Sequence, residues 1–415
     1  MGSLAFEQKL QRYADLTVQV GLNLQPGQRL IVIAHVLDVA PLARQIAASA
    51  YQQGCPLVGV LYLDEQLNKT RYQHAPRDSF EEYPSWMTAG VLQCLERGDA
   101  YLQIGGLDPE LLSTADPELK AIAGRVTAQN YRPIMEKQLG GNLQWSYITP
   151  PTPGWATRVF PGVPAEEAVA RLWEAVFAVC RLDEPAPIAF WHQYLAGLRQ
   201  RSAYLTAKQY ASLHFTAPCT DLRLDLPAGH IWSGAGFETR AGVPFVANLP
   251  TEEVFTIPHK DGARGTVRAT KPLNFRGSLI DEFEFTFEAG KVVDFSAGRG
   301  EDALRNILAI DENMARLGEV ALVPHQSPIS QSGIVFQATL YDENASCHLA
   351  LGSAPKMSIQ DGGEMSDEEF AAAGGNVSMS HVDFMFGSGE MDVDGLRSDG
   401  LAEPVLRGGE WAFVV

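Results

Sequence analysis

The residues with the most chemistry to offer lie in the second half of the chain, in four short segments. Ser380-His381-Val382-Asp383-Phe384-Met385 carries an imidazole two residues before a carboxylate. On a strand, residues i and i+2 point to the same face, so both groups can address one ion or an adjacent pair. Imidazole with carboxylate suits zinc, cobalt, manganese or iron. Asn248–Thr256 places Glu253 directly before Val254-Phe255, and Leu317–Leu322 places Glu319 between Gly318 and an apolar run. A carboxylate in such company needs a partner if it is buried. Asp342–Gly352 adds His348 within Ser346-Cys347-His348-Leu349-Ala350-Leu351. Each segment alone is ordinary; the four together are harder to dismiss.

The five cysteines are Cys55, Cys94, Cys180, Cys219 and Cys347. They are scattered and odd in number, which argues against a disulfide framework or a thiolate zinc site and for a reducing, cytoplasmic compartment. The N-terminus lacks a basic region followed by an apolar core, so no secretory signal is expected, and Phe6 stands where a myristoylation motif requires Ser or Thr. No run of about 18 apolar residues appears, so no membrane span is expected.

The elements that must position these groups differ between the two halves. The first half alternates helical and strand patterns. Residues 6–20 are spaced as a helix and end before Pro26-Gly27. Leu30–Ala34 is an apolar run suited to a strand buried on both faces. Helices are expected at 40–53, 86–97 and 117–125, with strands at 57–63, 100–104 and 144–148. This β-α-β rhythm predicts a mostly parallel sheet covered by helices. Without G-x-G-x-x-G after its first strand, a dinucleotide site is disfavoured. Helices follow at 164–181 and 187–211.

Beyond them the pattern changes. Leu222, Leu224 and Leu226 alternate with polar residues, as do Phe283, Phe285 and Phe287, with a turn at Ala289-Gly290. These are strands of an antiparallel sheet. The expected organisation is an α/β domain over residues 1–185 and an α+β domain over 186–415 that carries the metal site. The chain has 415 residues, 46% of them hydrophobic, and a formal net charge of −18. That length fits two or three domains with large cores. That charge disfavours nucleic acid as a partner and favours cations.

Several motifs, in order along nearly the whole chain, resemble one family. They are Gln25-Pro26-Gly27, His214–Pro218 with Thr220-Asp221-Leu222, Pro250–Thr256, Ser327–Gly333, Asp342–Gly352, His381–Met385 and Met391–Gly395. The chain resembles the metal-dependent aminopeptidases that include aminopeptidase T, aminopeptidase S and PepS.

The resemblance implies a site with two divalent metal ions, zinc or cobalt first, held by Glu253, Glu319, His348, His381 and Asp383. It also implies a homodimer, an enclosed site and a peptide or small amide substrate. Glu253 or Glu319 would move the proton of the attacking water; the sequence does not choose between them. The family usually carries a tyrosine seven residues after the histidine of the E-N-A-x-x-H segment, as a donor to the oxyanion. Here that position is Pro355, which has neither hydroxyl nor N–H. Lys356 or Tyr341 could stand in, and Lys356 is taken as the candidate catalytic group beside the two glutamates. A slow peptidase, or the same metal site turned to a non-peptide or modified amino-acid substrate, are the other readings.

Overall fold

A computed structural model of the chain describes residues 5–106, 108–139, 141–275 and 278–415. The reading of the N-terminus rests partly on residues 1–4, outside this range. The chain forms two compact units. One comprises Met1–His192 with Gly236–Pro250; the other comprises Gln193–Ala235 with Thr251–Val415. Sequence had suggested a boundary near 185. The chain leaves the first unit at 192 and returns to it for the short run 236–250.

The first unit is built on a parallel four-stranded sheet. Val58–Tyr62, Leu30–Ala34, Ala100–Ile104 and Trp145–Ile148 follow in that spatial order. Leu30–Ala34 pairs on both sides, which is why its sequence is an unbroken apolar run. Val58–Tyr62 is an edge strand and stays half-exposed. Ile33 and Tyr101 of the sheet pack with Val91, Leu95, Ile134 and Leu143. The helix expected to end near 125 runs over Pro117–Leu139 and tolerates Pro133, because Leu119, Val126 and Ile134 keep one face against the core. The helix expected over 6–20 covers Phe6–Leu16 and widens into a π-turn over Thr17–Gly21.

The second unit contains a nine-stranded antiparallel sheet and a five-stranded one among the described residues. Thr220–Asp225, Ser278–Glu288 and Lys291–Arg299 belong to the larger sheet. The smaller sheet has the order His381–Met385, His348–Gly352, Leu317–Leu322, Val254–Thr256, Ser233–Gly234, with every neighbouring pair antiparallel. The two sheets meet through aromatic rings. Phe384 lies edge-on to Phe283 and Phe285, with centroids 5.9 and 5.2 Å apart. One face of the smaller sheet thus belongs to the core and the other is left for the polar groups.

Candidate metal centre

Strand register alone places the five expected residues on one face. Ala350 is flanked by Glu319 on one neighbour and Asp383 on the other; Gly352 lies opposite His381, and His348 opposite Ala321. Val254 pairs with Leu322, so Glu253, one residue earlier, falls beyond the end of that pairing on the same face as Ala321 and Glu319. Ala321, Ala350 and Gly352 form the floor. Small side chains there leave room above the sheet for long ones around it.

The bulge at Gly318 completes this alternation. Leu317 pairs with Leu351 and Glu319 with Ala350, so one strand carries an extra residue. Leu317 can then join the apolar face while Glu319, two residues on, faces the site. Gly318 suits the bulge because a Cβ there would lie 2.3 Å from the Gly352 carbonyl oxygen.

His348 Nε2 lies 3.1 Å from Glu253 Oε2 and 3.5 Å from Glu319 Oε1. His381 Nε2 lies 3.8 Å from Glu319 Oε2 and 3.1 Å from Asp383 Oδ1. Two groups of ligand-type atoms result: Glu253, Glu319, His348 and Glu319, His381, Asp383. Glu319 belongs to both, with one oxygen toward each histidine. Exposure rises across the site, from a side chain 1% exposed at His348 to 35% at His381.

Three observations show that these residues fit divalent ions. The Nδ1 of His348 lies 3.2 Å from the Ser346 carbonyl and that of His381 lies 2.7 Å from the Ser353 carbonyl. A carbonyl only accepts, so each Nδ1 carries a proton and donates it, which aims Nε2 into the site; metal-bound histidines are held this way. Glu253 Oε2 is buried and, although close to His348 Nε2, is not aligned for a hydrogen bond. Finally, the electrostatics call for positive charge. Burial pushes the His348 imidazole down, yet Glu253 and Glu319 outweigh it and hold it well above its ordinary range. His381 rises to about 10, Asp383 and Glu319 prevailing over burial. Burial lifts the Glu319 carboxyl despite the histidines. A proton drawn onto Nε2 occupies the place a metal ion would take.

A family model for the thermophilic metalloproteases (M29) matches residues 6–411. The chain belongs to that family. It is therefore a hydrolase of the metalloprotease kind, acting with a divalent metal. Curated relatives include Aminopeptidase 2 of Geobacillus stearothermophilus, 46% identical over 98% of both chains. Aminopeptidase AmpS of Bacillus subtilis is 42% identical over 99% of this chain and 100% of its own. Aminopeptidase T of Thermus thermophilus is 42% identical over 98% and 99%. The solved structure titled wild-type AmpT from Thermus thermophilus superposes with a TM-score of 0.93 at 41% identity, covering 99% of this chain and all of that one.

Within this metalloprotease two further sequence candidates have partners of their own. Lys356 donates to the Met365 carbonyl at 2.9 Å and pairs with Asp367 at 2.8 Å, so its ammonium is already engaged by the following turn and helix. Tyr341 is fully buried and stacks on Phe336.

Sequence reading passed over Glu343 and Asn344, although both lie in a segment it had singled out. Asn344 Oδ1 accepts the Glu252 N–H at 2.7 Å and its Nδ2 donates to the Leu340 carbonyl at 2.9 Å, bracing the backbone just before Glu253. Glu343 is a buried carboxyl whose surroundings include Asp383, Glu253 and His348. The adjacent E-N pair before His348 was the available signal.

Proposed function

We propose that this metalloprotease is an aminopeptidase with two divalent ions, releasing N-terminal residues from peptides or small aminoacyl amides. The observation that carries this reading is Glu319, whose two oxygens serve two separate groups of ligand atoms. Glu253, Glu319 and His348 would hold one ion, and Glu319, His381 and Asp383 the other. Such ions lower the pKa of a bound water, polarise a carbonyl and stabilise negative charge.

The chain's own part is to fix the ligands through the Ser346 and Ser353 carbonyls. Glu253 or Glu319 takes up the proton and returns it to the leaving amine. Glu→Gln exchange at each, read as the pH profile of kcat, distinguishes them. The relatives' names, all aminopeptidases, support the substrate class. We assign zinc or cobalt as the metal, a homodimer as the assembly and the cytoplasm as the compartment; five scattered cysteines, odd in number, support the last.

The test is metal analysis of the purified protein, followed by assay on aminoacyl anilides after chelation and after zinc, cobalt or manganese is restored. Two ions per chain and metal-dependent release of the anilide are expected. Full activity in metal-free protein, or a single ion at saturation, would reject the dinuclear scheme.

Pro355 favours a second reading, in which the same site serves a modified or non-peptide substrate. It stands where the resemblance leads one to expect a hydroxyl donor, and Lys356 is held by Asp367. Loss of one oxyanion donor costs on the order of 10²–10³ in rate. If peptides are the substrate, Pro355→Tyr should raise kcat about tenfold or more with little change in KM. No rise, with a structure showing the new hydroxyl beside the metals, would favour the second reading.

A further inference from the structure

We propose that the Glu343 carboxylate receives the substrate's free α-ammonium group and so selects an unblocked N-terminus. This rests on the aminopeptidase reading and names the residue that would make the enzyme an exopeptidase.

Glu343 opens a single turn, Glu343–Ala345, packed against the His381–Met385 strand. Its position is rigid. Asn344, fully buried, ties that turn to Glu252 and Leu340, and its backbone carbonyl accepts the Ser327 hydroxyl at 2.9 Å. Glu343 is only 9% exposed, and its hydrogen bond from Asn344 Nδ2 is long, at 3.4 Å. No ion pair to Glu343 occurs among the described residues, and its oxygens fall in neither group of ligand atoms. It is thus a buried carboxylate beside the metal site that ligation does not use.

Charge balance indicates what it awaits. The ligand groups contain three carboxylates, Glu253, Glu319 and Asp383. Divalent ions would take up those three carboxylates, whereas Glu343 stands outside both groups. Burying a lone carboxylate is costly, and a substrate ammonium is the monocation that removes the cost. A blocked or absent amine leaves that cost in place, which is how a buried group rejects the wrong ligand.

The experiment compares zinc-loaded wild type with Glu343→Gln. Calorimetry measures binding of L-leucinol, which has no scissile amide, and of its des-amino counterpart, 4-methylpentan-1-ol; kinetics on leucine anilide and metal content are read alongside. Wild type should prefer the amine-bearing ligand by about tenfold or more, one charge-assisted hydrogen bond's worth. Glu343→Gln should lose most of that preference, raise KM more than it lowers kcat, and keep its zinc. Should Glu343→Gln fail to fold, Glu343→Asp carries the test, with partial preference expected.

A preference that survives in the variant overturns the assignment. So does a loss of zinc, which would make Glu343 a metal ligand while leaving the aminopeptidase reading intact. A wild type that binds both ligands equally overturns the assignment as well, and one that does not cleave leucine anilide refutes the aminopeptidase reading itself.

Discussion

Each histidine of the site spends one nitrogen on a backbone carbonyl and offers the other to the carboxylates. That division suits the pair to ligation rather than to acting as free bases. Glu253 is the residue most dependent on a cation, since its buried Oε2 has no hydrogen-bond partner. Glu253→Ala should therefore reduce bound metal measured by atomic emission, toward one ion per chain. kcat/KM should fall roughly a hundredfold or more, several kcal/mol of transition-state stabilisation being lost. Far-UV circular dichroism should be unchanged. Full metal content in this variant would remove Glu253 from the ligand set.

At the scale of elements, the His381 strand is aimed by the loop that precedes it. Asp311 accepts the Met379 N–H and the Ser378 hydroxyl, both at 2.7 Å, on one oxygen and the N–H groups of Asn313 and Met314 on the other. Asn376 donates to the carbonyls of Asn313 and Gly352. Burial alone would raise the Asp311 carboxyl; the Met379, Ser378, Asn313 and Met314 donors outweigh it and hold it below 3.8. A depressed carboxyl contributes stability above its unfolded value, and that contribution is lost as pH falls through the folded value. Asp311→Asn should thus lower the melting temperature at pH 7, and the difference from wild type should shrink as pH drops below about 3.8. Equal melting temperatures at pH 7 would show that the loop is held by other contacts.

For the molecule as a whole, the candidate ligands come from one unit only, and among the described residues the parallel sheet of the other contributes none. Metal binding stabilises the native state by mass action, about 2.7 kcal/mol at a hundredfold excess over Kd. The protection belongs to the strands that carry the ligands. Chelation should speed amide hydrogen exchange at 317–322, 348–352 and 381–385 and leave 30–34 and 100–104 unchanged, as read by mass spectrometry. Uniform deprotection of both units would contradict a site confined to the second. The net charge of −18 acts in the same direction for the intact protein, raising the local concentration of divalent cations.

Much of this was legible along the chain because it depends on local periodicity. Leu30–Ala34 reads as a doubly buried strand and is one; the Phe283-Phe285-Phe287 alternation reads as a strand with one inward face, and those rings pack on Phe384. His381 and Asp383 share a face because strand geometry requires it. Other features needed the folded chain. Nothing local marks 236–250 as a return to the first unit. Residue type could nominate Lys356, but only packing shows Asp367 and Met365 holding it. What set Glu343 apart was its burial in the Glu343–Ala345 turn. The Gly318 bulge, which separates Leu317 from Glu319 across the sheet, exists only in the pairing of two strands. Sequence determines which groups are present and how each strand alternates. Tertiary structure decides which of them share a cation, because that depends on register between strands tens of residues apart.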